Sequence, residues 1–238
     1  MNSIQKIARI VGVLFLTATV TYMVGSGLLE SILNAPDYLL NVYPNKSQVV
    51  IGVLFQFINA AVVVGIGLLM LPILKQHNER IALGYLGSRI IESVLLIVSF
   101  ISPLLLITLS QEYAGATDTS YFQTLGTLAI KGHSLAFEMA MIALSLGSLM
   151  FCYLLYESKL VPQFISVLGF IGYAALLTRG WLEIFGYSTG MILFLPGALF
   201  EIIFPIWLIV KGFNSSAIAS ESAETEINER DRMSLSKA

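Results

Sequence analysis

The chain has 238 residues, of which 56% are hydrophobic and 12% are charged, and its formal net charge is -2 at pH 7. Soluble domains are about 45 to 50% apolar, so this composition, with a mean hydropathy of +0.82, predicts an all-α polytopic membrane protein. The near-neutral charge excludes the basic surface that a nucleic-acid partner needs, and the lone cysteine, Cys152, excludes an intramolecular disulfide or a cysteine metal cluster.

Six apolar segments follow one another along the chain, each long enough to cross a hydrocarbon layer of about 30 Å as a helix. They cover residues 7–29, 49–74, 82–109, 128–155, 161–182 and 191–210. The connectors between them are rich in Pro, Asn, Asp and Gly, which favour loops. The predicted architecture is therefore a six-helix transmembrane bundle over residues 1–213, without strands.

The first apolar segment also resembles a signal peptide, because Lys6 and Arg9 precede it and the small residues Gly25 and Gly27 come near its end. Its apolar run is longer than the roughly 7 to 15 residues of a signal peptide, and five further segments follow. We therefore predict an uncleaved first helix.

The positions of the basic residues predict the orientation, because lysine and arginine in short connectors prefer the cytoplasmic side. A cytoplasmic N-terminus leaves only Lys46 and Lys131 in the outer connectors. The same orientation places the other basic residues near the span ends on the cytoplasmic side: Lys6, Arg9, Lys75, Arg80, Lys159 and Lys211. We expect a plasma-membrane protein with both termini in the cytoplasm.

Residues 214–238, "NSSAIASESAETEINERDRMSLSKA", are rich in serine and acidic residues and poor in apolar ones. Such a segment cannot bury enough apolar surface to offset the entropy of ordering. We predict a disordered cytoplasmic tail.

Several ionisable side chains lie inside the predicted spans, where each charge costs about 2.5 to 3.5 kcal/mol on insertion scales. They are Arg89, Glu92, His133, Glu138, Arg179 and Glu201. Such side chains must face protein or water, so we expect a buried polar core formed by the third, fourth and sixth helices, with the fifth as a further contributor.

Glu92 and Glu138 occupy matched positions on the third and fourth helices. Each has one serine four residues before it and another seven residues after it, so each carboxylate belongs to a polar stripe on one helix face. We expect the two stripes to face each other across the core.

The number of cations in the core is small. Arg179 is four residues from Glu183 and is expected to pair with it locally, which leaves Arg89 as the cation for the three mid-span glutamates. At least one of them should then be protonated or hold a cation, since desolvation disfavours an unpaired charge. Glu201, within the apolar stretch "PGALFEIIFP", is the candidate.

Other features of the spans are interpreted as structural. Pro103 and Pro205 open the backbone hydrogen-bond ladder of their helices, and Gly169 and Gly172 allow a neighbouring helix to approach closely.

Two functions of different classes fit these residues. The favoured one is binding or translocation of a small solute, ion or proton, with Glu92, Glu138 and Glu201 as candidate sites and Arg89 as their electrostatic partner. The alternative is a non-catalytic membrane module in which Arg89 and glutamates form a structural clasp, and which packs with a partner protein.

An enzymatic function is not favoured, and no catalytic residue, metal or cofactor is predicted. "GYSTG", residues 186–190, matches the G-x-S-x-G pattern of an intramembrane hydrolase with Ser188 as nucleophile and His133 as base, but that motif needs a strand-to-helix elbow. His77 and His133 lack the spacing of a metal site, and no nucleotide-binding fingerprint occurs.

Two segments, "ALGYLGSRIIESVLL" and "PGALFEIIFPIWLIVKGF", resemble the bacterial membrane family called domain of unknown function 4386. The resemblance covers residues 1 to about 213 and rests on the R-x-x-E pattern of Arg89 and Glu92 and on the closing pattern from Glu201 to Phe213. It implies a helical, multi-span bacterial protein. It implies no activity, substrate or cofactor.

Overall fold

A computed structural model describes residues 3–214, which are almost entirely helical and contain no strand within that range. The long helices are α1 (Ser3–Leu33), α2 (Lys46–His77), α3 (Glu79–Tyr113), α4 (Ser120–Ser158), α5 (Gln163–Ile184) and α6 (Leu195–Val210). A one-turn helix, Tyr38–Asn41, precedes α2, and a 3-10 turn, Ile192–Phe194, precedes α6. The predicted all-α, six-helix class is confirmed, whereas the predicted tail lies outside the described residues beyond Asn214.

The six helices form a closed ring. Each helix packs beside the next one in the chain, and α6 returns to pack against α1. Large apolar side chains are exposed around the outside of every helix, and all six segments are long and apolar enough to cross a membrane. This apolar outer surface is therefore suited to the hydrocarbon layer of a membrane. Helices can lie in hydrocarbon because they satisfy their own backbone hydrogen bonds.

The helices differ in length in a way that distinguishes the two ends of the ring. α4 has 39 residues and α6 has 16, or about 58 Å and 24 Å at 1.5 Å per residue. Both described chain ends and the connector 159–162 lie at one end, here called the terminal end. The longer connectors 34–45, 114–119 and 185–194 lie at the other, here called the loop end.

Close packing of α5 against α6 depends on glycine. A Cβ atom added at Gly172 would lie 2.7 Å from the Cα of Gly197, and one added at Gly169 would lie 2.6 Å from the ring of Phe200. Both distances are too short for a side chain. The predicted role of Gly169 and Gly172 in close helix approach is confirmed.

Aromatic rings fill the interior of the terminal half of the ring. Phe204 of α6 lies 5.3 Å from Phe15 of α1 and 5.6 Å from Phe151 of α4, measured between ring centroids. Phe151 stacks on Tyr85 of α3 at 4.7 Å, and Phe200 joins Phe204 at 5.0 Å. These rings, here called the aromatic cluster, tie together four of the six helices.

Hydrogen bonds close the terminal end. The side-chain amide of Gln5 donates to the carbonyl oxygen of Phe213 at 2.7 Å. Asn214 donates its backbone N–H to Leu160 at 2.9 Å and its side-chain amide to Lys159 at 2.6 Å. Asn214, four residues after the end of α6, is thereby joined to the connector between α4 and α5.

Candidate functional site

The ionisable residues predicted inside the spans form two separate groups. Arg89, Glu92 and Glu201 meet in the terminal half of the ring, beside the aromatic cluster. Glu138 and Arg179 meet nearer the loop end, where His133 also lies. The expectation of a single core around Arg89 is therefore wrong for Glu138.

The Arg89–Glu92 pair is almost completely buried. Arg89 Nη1 lies 2.9 Å from Glu92 Oε2, and the two side chains are only 5% and 3% exposed. Arg89 Nε donates to the backbone carbonyl of Val63 on α2 at 3.4 Å. Glu92 Oε2 lacks a well-oriented hydrogen bond. The pair is therefore held by the attraction of the two nearby charges, and not by the two parallel hydrogen bonds that a guanidinium and a carboxylate form in their strongest geometry.

Glu201 joins this group through α5. The hydroxyl of the buried Tyr173 donates to Glu201 Oε1 at 3.2 Å, and Glu201 interacts electrostatically with both Arg89 and Glu92. Arg89 forms its ion pair with Glu92, and Glu201 lies beside that pair without an ion-pair contact to Arg89 among the described residues. We call Arg89, Glu92, Tyr173 and Glu201 the charged clasp.

Glu138 pairs with Arg179 and not with Arg89. Arg179 Nη1 donates to Glu138 Oε2 at 2.5 Å, whereas Arg179 Nη2 is 3.8 Å from Glu183 Oε1. The predicted local pair of Arg179 and Glu183 is therefore the weaker of two contacts. Glu183 also accepts the backbone N–H of Thr189 at 3.1 Å, which anchors the connector after α5.

Depth in the bilayer explains this pairing. Glu92 is about 20 Å along α3 from the terminal end, whereas Glu138 is about 30 Å along α4 from the same end. By the same count, Arg89 is about 15 Å along α3 and Arg179 about 24 Å along α5 from that end, so Arg179 is the cation closer in level to Glu138. The matched serine spacing shows which face of each helix is polar. It does not show whether the carboxylates of the two helices lie at the same depth.

His133 bonds to a backbone carbonyl that Pro103 leaves without its usual donor. Proline lacks an N–H, so Pro103 cannot bond to the carbonyl four residues before it, which belongs to Ser99. His133 Nδ1 lies 2.8 Å from that same carbonyl oxygen, and because a carbonyl can only accept, Nδ1 is the donor. His133 therefore replaces the missing bond of α3 and joins α4 to it.

A cavity of about 250 Å³ lies in the loop half of the ring. Five of the six helices line it, and the exposed side chains of Glu30, Asn34 and Ser134 lie among its walls. Its deeper polar lining consists of Tyr22 and Ser26 of α1, Gln56 of α2, His133 and Glu138 of α4, and Arg179 of α5. This cavity, here called the polar cavity, brings together three of the six predicted site residues.

Gln56 is the most deeply buried polar residue of the cavity, with only 4% of its surface exposed. Its side-chain nitrogen donates to Ser26 Oγ at 2.8 Å and approaches the backbone carbonyl of Tyr22 at 3.5 Å. Its carbonyl oxygen, Oε1, has no hydrogen-bond partner. A buried acceptor of this kind costs about 1 to 3 kcal/mol when it is left unsatisfied.

Aromatic rings form part of the cavity wall. Tyr22 and Phe137 stack with centroids 5.9 Å apart and planes inclined by 11°, and Phe100 of α3 also contributes. The cavity lining therefore combines carboxylates, an amide and aromatic rings.

The structure gives no support to the hydrolase alternative. Ser188 lies in the exposed connector after α5, so the G-x-S-x-G pattern follows a helix and not the strand that its elbow requires. Across residues 3–214 no group of three His, Cys, Asp or Glu side chains is placed to hold a metal ion.

Sequence reasoning missed several residues of these two groups. Gln56 carried a usable signal, since it is a polar residue within the apolar stretch "VLFQFINAA". Tyr22, Ser26 and Glu30 carried none, because they are ordinary residues near the end of a span. Tyr173 was likewise hidden, since a tyrosine in an apolar helix usually indicates packing.

Six apolar helices around buried ion pairs define a multi-pass α-helical membrane protein. A family model described as "Domain of unknown function (DUF4386)" matches residues 10–212, and the chain belongs to that family. The match extends from α1 to the residues just after α6 and so includes both polar groups. No curated protein and no solved structure matches the chain.

Proposed function

We propose that this protein binds a small polar solute in the polar cavity and carries it across the membrane. The supporting observation is a cavity of about 250 Å³ in a membrane bundle, lined by polar groups of which Gln56 and Glu138 are buried. Polar and ionisable groups at membrane depth are costly, and they mark substrate pathways by default. At about 30 Å³ per water, the volume corresponds to about eight waters, which suits a solute smaller than a typical drug.

We propose further that the loop end faces outward from a bacterial plasma membrane, with both termini in the cytoplasm. The distribution of lysine and arginine in the connectors supports this orientation. The polar cavity then lies on the outer side, and the aromatic cluster separates it from the cytoplasm. Transport requires that the packing at the terminal end opens.

Uptake into proteoliposomes by a cavity-filling variant tests the transport function. Ser134 lines the cavity, whereas its neighbour Leu135 does not and is 43% exposed. We expect Ser134→Trp to abolish uptake of labelled small solutes that the unmodified protein takes up, and Leu135→Trp to retain it. Equal uptake by the two variants would contradict the proposal.

Single cysteines test the orientation in a Cys152→Ala background. Thr124 lies near the loop end and Gln76 near the terminal end, and both are exposed. We expect an impermeant thiol reagent to label Thr124→Cys in intact cells, and Gln76→Cys only after permeabilisation. The reverse labelling pattern would show that the loop end faces the cytoplasm.

The charged clasp supports a second candidate, a structural role that fixes helix packing. Arg89 connects α3 to the backbone of α2 and lies beside an almost fully buried carboxylate. Glu92→Gln separates the alternatives for this group. Normal accumulation with lost uptake favours a role in transport, whereas loss of folded protein favours the structural clasp.

A further inference from the structure

We infer that the solute of the polar cavity is a small organic cation, such as an amine or an amino alcohol bearing an ammonium group. This inference rests on the proposed function and assigns the chemical class of its solute. It follows from the charge and the aromatic residues of the cavity lining.

The charge of the cavity lining favours a cation. Two carboxylates, Glu30 and Glu138, line the cavity together with one guanidinium, Arg179. With histidine counted as neutral, the lining therefore carries one excess negative charge. A bound monocation would neutralise it.

The positive charge of Arg179 is already engaged. Glu138 and Glu183 lie 2.5 Å and 3.8 Å from its guanidinium nitrogens, and its guanidinium carbon is 4.2 Å from the ring centroid of Phe194. An anionic solute would compete with these carboxylates for Arg179 and would also be repelled by Glu30. The cavity therefore disfavours anions.

The aromatic wall is also complementary to a cation. Tyr22, Phe100 and Phe137 line the cavity. A cation close to such a ring is attracted by about 0.5 to 2 kcal/mol, depending on desolvation. A neutral polyol would gain neither this attraction nor the neutralisation of the excess carboxylate.

The test uses thiol reagents of similar size and opposite charge on the full-length protein in a Cys152→Ala background. Ser134→Cys places the thiol in the cavity, and Thr124→Cys on the same helix is the reference outside it. We expect the ratio of the labelling rate by trimethylammonioethyl methanethiosulfonate to that by the sulfonatoethyl analogue to be about tenfold higher at residue 134 than at residue 124.

A matched pair of acid substitutions identifies the source of this preference. Glu30 and Glu112 are both exposed and near the loop end, but only Glu30 lines the cavity. We expect Glu30→Gln to lower the ratio at residue 134 several-fold and Glu112→Gln to leave it unchanged. Neither glutamate forms an ion pair within the described residues, so neither substitution breaks one.

Protection by a solute completes the test. Choline should slow labelling of Ser134→Cys, whereas its uncharged analogue 3,3-dimethyl-1-butanol should not. Equal protection by both, or no preference for the cationic reagent, would overturn the inference while the effect of Ser134→Trp on uptake still supported the proposed function. Retained uptake in Ser134→Trp would instead overturn the proposed function itself.

Discussion

Pro103 of α3 determines which hydrogen bond His133 of α4 can form. Pro103 releases the carbonyl of Ser99, and His133 bonds to it. A lone histidine in an apolar helix is open to interpretation as a base or a metal ligand. Here its Nδ1 hydrogen has a structural partner, although the ring also lines the polar cavity.

This pairing predicts a non-additive effect. His133→Phe leaves the Ser99 carbonyl without its partner and should reduce the free energy of unfolding by about 1 to 3 kcal/mol. In a Pro103→Ala background the backbone N–H of residue 103 can bond to the same carbonyl, so the cost of His133→Phe should fall. Denaturant titration of the four proteins in detergent measures this coupling, and additive effects would refute it.

The buried Arg89–Glu92 pair predicts strong destabilisation when one partner is removed. Arg89→Gln leaves Glu92 without its nearest cation and should cost about 3 to 5 kcal/mol of unfolding free energy. The exposed pair of Lys75 and Glu79 is the control, since its side chains are 54% and 58% exposed and such pairs contribute at most about 1 kcal/mol.

Comparison of unfolding midpoints for Arg89→Gln and Lys75→Gln checks this prediction. The double variant Arg89→Gln, Glu92→Gln should recover part of the loss, because it removes the uncompensated charge. Similar midpoints for Arg89→Gln and the unmodified protein would show that the pair contributes little.

The residues that meet could be predicted only in part. The cost of a charge in lipid made Arg89, Glu92 and Glu201 recognisable as a group. The pairing of Glu138 with Arg179 could not be predicted, because it depends on the relative depth of α4 and α5, about which spacing within one helix carries no information.

At the scale of the helices, hydropathy located every span and underestimated the length of the first four. The fifth segment has the same length as α5, 22 residues, and the sixth is longer than α6. The fourth apolar segment was predicted to begin at residue 128, whereas α4 begins at Ser120. Hydropathy reports the part of a helix that matches hydrocarbon, but a helix continues into water where local bonds support it. At Ser120, the carboxylate of Asp118 accepts both the backbone N–H and the side-chain hydroxyl, at 3.0 Å and 2.8 Å.

The α5–α6 contact predicts that glycine positions differ sharply in tolerance. Gly172→Ala places a methyl group against the backbone of Gly197 and should destabilise the protein by about 1 to 3 kcal/mol. Gly87→Ala on α3 is the matched control, because a Cβ there meets no atom within 4 Å. It should be neutral or stabilising by up to about 1 kcal/mol.

Thermal unfolding in detergent compares these two alanine variants directly. The prediction fails if Gly172→Ala is as stable as Gly87→Ala. Such a result would mean that α5 and α6 separate at little cost.

For the whole molecule, the ring order of the helices was beyond sequence reasoning. Short connectors favour neighbouring helices, but the return of α6 to α1 involves residues far apart in the chain. Apolar faces on six spans fit several arrangements, since lipid tails and leucine side chains are similar environments.

The closed terminal end predicts that locking it stops transport but not solute binding. Cysteines at Gln5 and Asn214, bridged by a short bis-alkylating reagent, would keep α1 fastened to the residues after α6. We expect uptake into proteoliposomes to fall to background, while protection of Ser134→Cys by the solute persists. Continued uptake by the bridged protein would show that this end need not open.

The neighbouring position of α1 and α6 also constrains biogenesis. α1 is synthesised before α6, and part of its inward face is covered only when α6 arrives, since Gly12 of α1 packs against Pro205 and Leu208 of α6. Until α6 has been synthesised, the ring of helices is incomplete, and the surface of α1 that α6 covers stays exposed. A chaperone or protease that recognises incomplete membrane proteins would find that exposed surface in any chain that stops short of α6.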